Sequence, residues 1–222
     1  MSVKSNIGNC FQTAVVPVKA LAFAKSRLAD RLNAEQRIAL SLNLLKHVLG
    51  VVTNCSLDEV IVLGRDQQVA SMADVWGVNF IEDEGRGLNQ ELKAVFDCLS
   101  EQNKSSIYIA ADLPLLCVDD IEKMIGMSNN CEVTTICPSD RDSGTNGLLV
   151  PAGSALRPCL GKSSYAMHKY LSGLLRTKYA VCHSVGWGID LDVSSDLDRI
   201  LEIQPDFGDR ILGPTTNGDI SK

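Results

Sequence analysis

Apolar residues gather in short unbroken runs, and stretches of helical periodicity separate them. Residues 11–18 form the first run, β-branched and without alternation, which predicts a strand buried on both faces. In residues 33–52, Leu40, Leu44, Leu45, Val48 and Leu49 recur at helical spacing, and Asn33 with Gln36 has the pattern of a capping pair. The alternation continues with a strand over 58–63, a helix over 67–75, a short strand over 78–81 and a helix over 88–101. A strand over 106–110, a short helix over 118–125 and a strand over 132–137 follow. The pattern then changes to a turn-rich stretch, 140–147, with an edge strand over 148–150. A helix over 163–176, a strand over 180–185 and a helix over 195–203 close the chain. This order predicts an α/β protein with a mostly parallel sheet flanked by helices. Residues 11–204 read as one domain between a loose leader, 1–10, and a loose tail, 205–222.

Charge sharpens the picture. The net charge of -6 argues against broad nucleic-acid or anionic-membrane binding. Against that acidic background the first strand ends in a basic loop with Lys19, Lys25, Arg27 and a hydroxyl, Ser26. Ligands of open α/β sheets bind beyond the carboxyl ends of the strands, so the loop points to an anion such as a nucleotide triphosphate. A solvated basic turn is the competing reading. The loop lacks the glycine-lysine pattern of a P-loop. Asp112 follows the strand over 106–110, and Asp190 and Asp192 stand one residue apart at what reads as another strand end. Three acids opposite a basic loop suit metal-assisted phosphoryl or nucleotidyl transfer, whereas each alone would pass for a turn cap. Glycines and neutral hydrogen-bonding groups at Gly144, Thr145, Asn146, Gly161 and Ser164 suit a small anionic acceptor, or two ordinary turns. Asn89, just after Gly87, reads as a base or ribose contact or as a helix cap.

The eight cysteines form no C-x-x-C pair and read as reduced, mostly buried thiols of a cytoplasmic protein. His47, His168 and His183 have no zinc-type spacing to them. No apolar stretch is long enough to span a membrane, and residues 1–10 lack a signal-peptide core.

In order along the chain, Val16 to Lys19 with Ala24 to Leu28, Gly87 to Asn89, Ala111 to Leu115, Asp140-Arg141 with Gly144 to Asn146, Gly161 with Ser164, and Leu191 to Val193 resemble one family. It is the CofC type of guanylyltransferase of coenzyme F420 biosynthesis, called FbiD in mycobacteria. The resemblance implies a Rossmann-like nucleotidyltransferase fold, magnesium, and GTP joined to a three-carbon phospho-acid with loss of pyrophosphate. It implies Asp112, Asp190 and Asp192 as metal ligands and Lys19 and Lys25 as the charge-neutralising catalytic groups. Ser26, Arg27, Gly87 and Asn89 would hold GTP, and Thr145 or Asn146, Gly161 and Ser164 the acceptor. The product would pass to a downstream transferase, and a homodimer is left open. Family acceptors are 2-phospho-L-lactate, phosphoenolpyruvate and 3-phospho-D-glycerate. Where relatives often have Ala this chain has Gly147, and the missing methyl beside Thr145 leans the expectation towards 3-phospho-D-glycerate. Two other readings compete: a sugar-nucleotide glycosyltransferase, because Asp190-Leu191-Asp192 is a D-x-D, and a GTP-binding regulatory module without turnover.

Overall fold

The computed structural model describes residues 10–208, and among these residues seven strands join in one sheet. They are β1 (Gln12–Pro17), β2 (Glu59–Gly64), β3 (Asn79–Glu82), β4 (Ser105–Ile109), β5 (Thr134–Pro138), β6 (Thr145–Val150) and β7 (Tyr179–Val181). Between and after them come α1 (Ala34–Val52), α2 (Gln67–Val75), α3 (Leu88–Glu101), α4 (Val118–Met127), α5 (Ser164–Leu174), α6 (Val185–Gly188) and α7 (Ser194–Ile203). The expected capping pair opens α1: Gln36 N donates to Asn33 Oδ1 and Asn33 N to Gln36 Oε1, each at 2.9 Å.

The strand order is β3-β2-β1-β4-β6-β5-β7. β1, β2, β3 and β4 pair in parallel, as do β5 and β7, and only β6 runs antiparallel to its neighbours. From β1 the chain winds outward to β2 and β3, then returns to lay β4 on the other flank of β1. The carboxyl ends of β1 and β4 therefore flank a topological switch point, where such sheets hold their ligands.

Three sequence-based expectations need correction. The strand expected at an edge over 148–150 is β6, which begins at Thr145 and lies inside the sheet between β4 and β5. All six of its residues are buried, although Thr145, Asn146 and Gly147 carry no apolar signal; their burial comes from the strands on either side. The strand expected over 180–185 is only Tyr179–Val181, and the chain turns at Ser184, whose Oγ accepts from Trp187 N at the start of α6. The segment from residue 205 is not wholly loose, since Phe207 is fully buried; residues 1–9 and 209–222 of the expected leader and tail lie outside the described residues.

The main core fills the sheet and its helices. A second, smaller core joins Leu28, Leu40, Leu44, Ile189, Leu191, Leu197, Ile200 and Phe207. It clamps the basic loop, through Leu28, against the segment carrying the paired acids. In that segment Ile189 and Leu191 face inward, which turns Asp190 and Asp192 the other way. No helix among the described residues is long and apolar enough to cross a membrane. The eight cysteines are free thiols, and three of them, Cys98, Cys117 and Cys159, are exposed rather than buried.

Candidate active site

A cleft of about 1010 Å³ opens over the carboxyl ends of β1 and β4. All the expected site residues but Gly147 line it: Lys19, Lys25, Ser26 and Arg27 from the basic loop, Gly87 and Asn89 at the start of α3, Asp112 after β4, Thr145 and Asn146 of β6, Gly161 and Ser164 at α5, and Asp190 and Asp192.

The basic loop consists of two 3-10 turns, Leu21–Phe23 and Ser26–Leu28, with Lys25 between them in the left-handed region at φ 47 and ψ 37. That conformation is uncommon for a side-chain-bearing residue and costs on the order of 1–3 kcal/mol. It aims the ammonium inward, where only 8% of the side chain is exposed. Lys25 Nζ lies 2.6 Å from Asp112 Oδ2 and 3.1 Å from Asp192 Oδ1. Burial alone would lower the pKa of Lys25; the two carboxylates outweigh it and raise it. Burial likewise pushes Asp192 up, and Lys25 and Arg141 bring it below the usual carboxylate range. Lys19 is exposed and has no ion-pair partner among the described residues. Arg27 reaches Asp192 only at 4.0 Å and stays mostly in solvent.

Arg141, which carries part of the family resemblance but was given no role from the sequence, is central to the site. Its Nη2 lies 2.7 Å from Asp190 Oδ2 and 3.2 Å from Asp192 Oδ2, and its Nε 3.5 Å from Asp196 Oδ2. Burial works against its charge, and the acids around it more than compensate, Asp190 first. Its sequence signals are its place in the turn-rich stretch and in the Asp140-Arg141 piece of the resemblance; neither shows that the turn folds back over acids some fifty residues later.

The three acids expected to hold a metal face cations and hydrogen-bond donors in the cleft. Asp190 and Asp192 do not end a strand; they sit in the connection from α6 to α7. Among the described residues no group of three or more His, Cys, Asp or Glu is arranged around one metal position. Asp112 and Asp192 converge on one ammonium, whereas Asp190 accepts from Ser139 Oγ at 2.8 Å, from Asn146 Nδ2 at 3.3 Å and from Arg141. Two hard oxygen donors meeting on one cationic atom fit magnesium, which takes one or two carboxylates and completes its shell with phosphate and water. Asp190 fits the role of an anchor better. Asp196 fixes Asp192 from below, accepting from the backbone N–H groups of Asp192 and Val193 at 2.9 Å each.

Asn89 does not cap α3, whose N-cap is Gly87. Its Nδ2 donates to Leu160 O at 3.0 Å and its Oδ1 accepts from Leu160 N at 2.7 Å, pinning the 160–164 turn to α3. Asn146 is anchored through one end of its amide, Nδ2 donating to Trp187 O and to Asp190 Oδ1, and it lines the cleft. It sits at a register shift, between Thr145 paired with Pro138 and Gly147 paired with Cys137. A bulge of this kind re-aims side chains beside a site. Thr145, Ser164 and Gly161 remain on the far wall. Ser164 Oγ donates to Thr145 Oγ1 at 3.1 Å, and Gly161 adopts φ +134, a region that side-chain-bearing residues rarely enter. His168, which sequence reasoning set aside, stands 2.9 Å behind Thr145.

Gly147 does not border the cleft. A Cβ there would meet Trp187 Cζ3 at 2.6 Å, inside the core. The missing methyl therefore makes room for an indole ring rather than for an acceptor, and the argument for 3-phospho-D-glycerate loses its footing.

A mixed α/β sheet with a charged cleft at its switch point, carrying cations on one wall and hydroxyls on the other, is the architecture of a nucleotidyltransferase. The family model of guanylyl transferase CofC like proteins matches residues 12–204, and the chain belongs to this family of guanylyltransferases of coenzyme F420 biosynthesis. It is 32% identical over 84% of its length to a phosphoenolpyruvate guanylyltransferase of Rubrobacter xylanophilus, covering 92% of that protein. It is 29% identical over 84% of its length to a 2-phospho-L-lactate guanylyltransferase of Methanocaldococcus vulcanius, covering 82% of that protein. Among solved structures it is similar to a 4-diphosphocytidyl-2C-methyl-D-erythritol synthase, with a TM-score of 0.59 over 91% of this chain and 99% of the other. At 13% identity that likeness shows the fold alone. Membership of an enzyme family removes the regulatory-module reading and, with it, the glycosyltransferase reading of the D-x-D.

Proposed function

We propose that this guanylyltransferase transfers GMP from GTP to a three-carbon acid bearing phosphate on C2, with phosphoenolpyruvate as the preferred acceptor. One observation carries the reading: a single cleft is lined by the cations of the loop after β1, by the paired hydroxyls of Thr145 and Ser164, and by Asp112 and Asp192. The naming of the Rubrobacter relative supports phosphoenolpyruvate; that of the Methanocaldococcus relative keeps 2-phospho-L-lactate as the alternative of the same chemical class.

Lys19, Ser26 and Arg27, exposed on the cleft rim, bind the triphosphate, and the α5 wall with Thr145, Ser164 and Gly161 binds the acceptor. An oxygen of the acceptor phosphate attacks the α-phosphorus of GTP. The new P–O bond forms as the bond to the β-phosphate oxygen breaks, and pyrophosphate leaves. The acceptor phosphate has its second pKa near ~6, so it is a nucleophile at neutral pH and needs no protein base. Asp112 and Asp192 would hold magnesium, whose chemistry there is neutralisation of the polyphosphate charge. Lys25 and Arg141 keep the carboxylates ionised and oriented. The product is a pyrophosphate diester, whose anhydride bond activates the phospho-acid portion for a downstream transferase.

The test incubates the enzyme with GTP, magnesium and phosphoenolpyruvate, 2-phospho-L-lactate or 3-phospho-D-glycerate, and follows pyrophosphate release and product mass. Pyrophosphate and a guanosine-diphospho acid are expected, fastest with phosphoenolpyruvate. A tenfold preference for 3-phospho-D-glycerate, about 1.4 kcal/mol, would overturn the acceptor assignment. No pyrophosphate with any of the three would overturn the whole reading.

A further inference from the structure

His168 lies early in α5 and is wholly buried. Its two ring nitrogens have different partners. The Cys159 backbone N–H donates to Nε2 at 2.9 Å, so Nε2 presents a lone pair and the proton of the neutral ring sits on Nδ1. Burial brings the pKa down to about 4, which keeps the ring neutral at physiological pH. Nδ1 stands 2.9 Å from Thr145 Oγ1, and in this tautomer it is the donor.

Thr145 Oγ1 also accepts from Ser164 Oγ at 3.1 Å. A threonine hydroxyl has two lone pairs and one proton. Both lone pairs are thus filled from behind, and the proton is left to be given away. Whichever hydroxyl donates across the Thr145–Ser164 pair, one proton remains for the cleft that both residues line. The opposite tautomer would reverse this: Nδ1 would take the threonine proton, and the pair would turn lone pairs towards any anion. Helix geometry brings the parts together, because Ser164 and His168, four residues apart, share one face of α5.

We propose that His168 is a positioning residue of the acceptor subsite: held as its Nδ1–H tautomer by the Cys159 amide, it commits the Thr145–Ser164 pair to donating a proton to an anionic oxygen of the bound phospho-acid. This rests on the assignment of Thr145 and Ser164 to the acceptor, and the experiment separates the two.

The test compares His168→Leu, His168→Asn, His168→Gln and Thr145→Val with the parent, measuring kinetics in phosphoenolpyruvate and in GTP. Asn places its amide nitrogen near the position of Nδ1 and retains the donor; Gln extends beyond it. His168→Leu and Thr145→Val are expected to lower kcat/KM for phosphoenolpyruvate about ten- to hundredfold, as for loss of a hydrogen bond to a charged group, with the KM for GTP within about twofold of the parent. His168→Asn is expected to recover most of the loss and His168→Gln little of it. Nitrogen-15 NMR of labelled histidine is expected to show the Nδ1-protonated ring at neutral pH. Thr145→Val without effect on phosphoenolpyruvate use would overturn the acceptor assignment and this inference with it. Thr145→Val harmful and His168→Leu harmless would overturn the inference alone. Equal losses in both substrates, unrelieved by Asn, would reduce His168 to a packing residue. If His168→Leu does not fold, the Asn–Gln contrast and the tautomer carry the same decision.

Discussion

Gly147 and Trp187 are packed so closely that the glycine is a spacer for the ring: a Cβ at 147 would come within 2.6 Å of Cζ3 and 3.0 Å of Cε3 and Cη2. Trp187 cannot yield easily, being fully buried with its Nε1 donating to Asp120 O at 3.1 Å. Gly147→Ala is therefore expected to destabilise by about 1–3 kcal/mol through overpacking, a fall of several degrees in Tm for a domain of this size. The ratio of phosphoenolpyruvate to 3-phospho-D-glycerate turnover is expected to stay unchanged. Thermal melts and acceptor competition together check both halves.

Lys19 and Lys25 lie in one loop but in different surroundings, and their variants should part accordingly. Lys19→Ala is expected to raise the KM for GTP while leaving Tm within about a degree, since an exposed, unpaired charge contributes little to stability. Lys25→Met removes the ammonium shared by Asp112 and Asp192. Both acids are about one-third exposed, so water offsets part of the loss, and about 1–2 kcal/mol of destabilisation is expected. Turnover is expected to fall about a hundredfold or more. Equal effects of the two substitutions on Tm and on GTP kinetics would contradict the separation.

Asn89 grips Leu160 through both ends of its amide, so its contribution should appear at the acceptor rather than the base. Asn89→Ala is expected to raise the KM for phosphoenolpyruvate several-fold, by loosening the 160–164 turn, with the preference for GTP over ATP unchanged. A lost preference for guanine would restore Asn89 to the nucleotide.

His168 makes stability depend on pH in a defined direction. Its folded pKa, about 4, lies below the ordinary 6.5, so between these values the unfolded chain binds the proton more readily. The contribution is fully present above 6.5 and is lost as pH falls towards 4, to a maximum of about 3 kcal/mol. Denaturant titrations of the parent and His168→Asn at pH 7 and pH 4.5 should show the parent losing more stability on acidification. Parallel losses would contradict a buried neutral imidazole.

The α/β alternation was legible because parallel strands covered on both faces, such as β1, appear as continuous apolar runs. The site was legible as a set of residues, since cations, acids and hydroxyls fall in an order that places all of them on one cleft. What their side chains do there was not legible. Asn89 finds its partner 71 residues away at Leu160, and Arg141 finds Asp190 49 residues away; both pairings depend on loops meeting across the sheet rather than on spacing along the chain. β6 was misread for a related reason: Thr145, Asn146 and Gly147 are buried by their neighbours and not by their own hydrophobicity. The same strand hid the role of Gly147, because a glycine leaves no trace in sequence of the ring that fills its space.

The reversed direction of β6 sets which of its ends reaches the cleft. β1 and β4 meet the cleft with their last residues, whereas β6 meets it with its first, directly after the turn that carries Arg141. Any insertion or deletion in that turn would carry Arg141 away from Asp190 and Asp192, so one antiparallel strand makes the length of a surface loop a fixed dimension of the site.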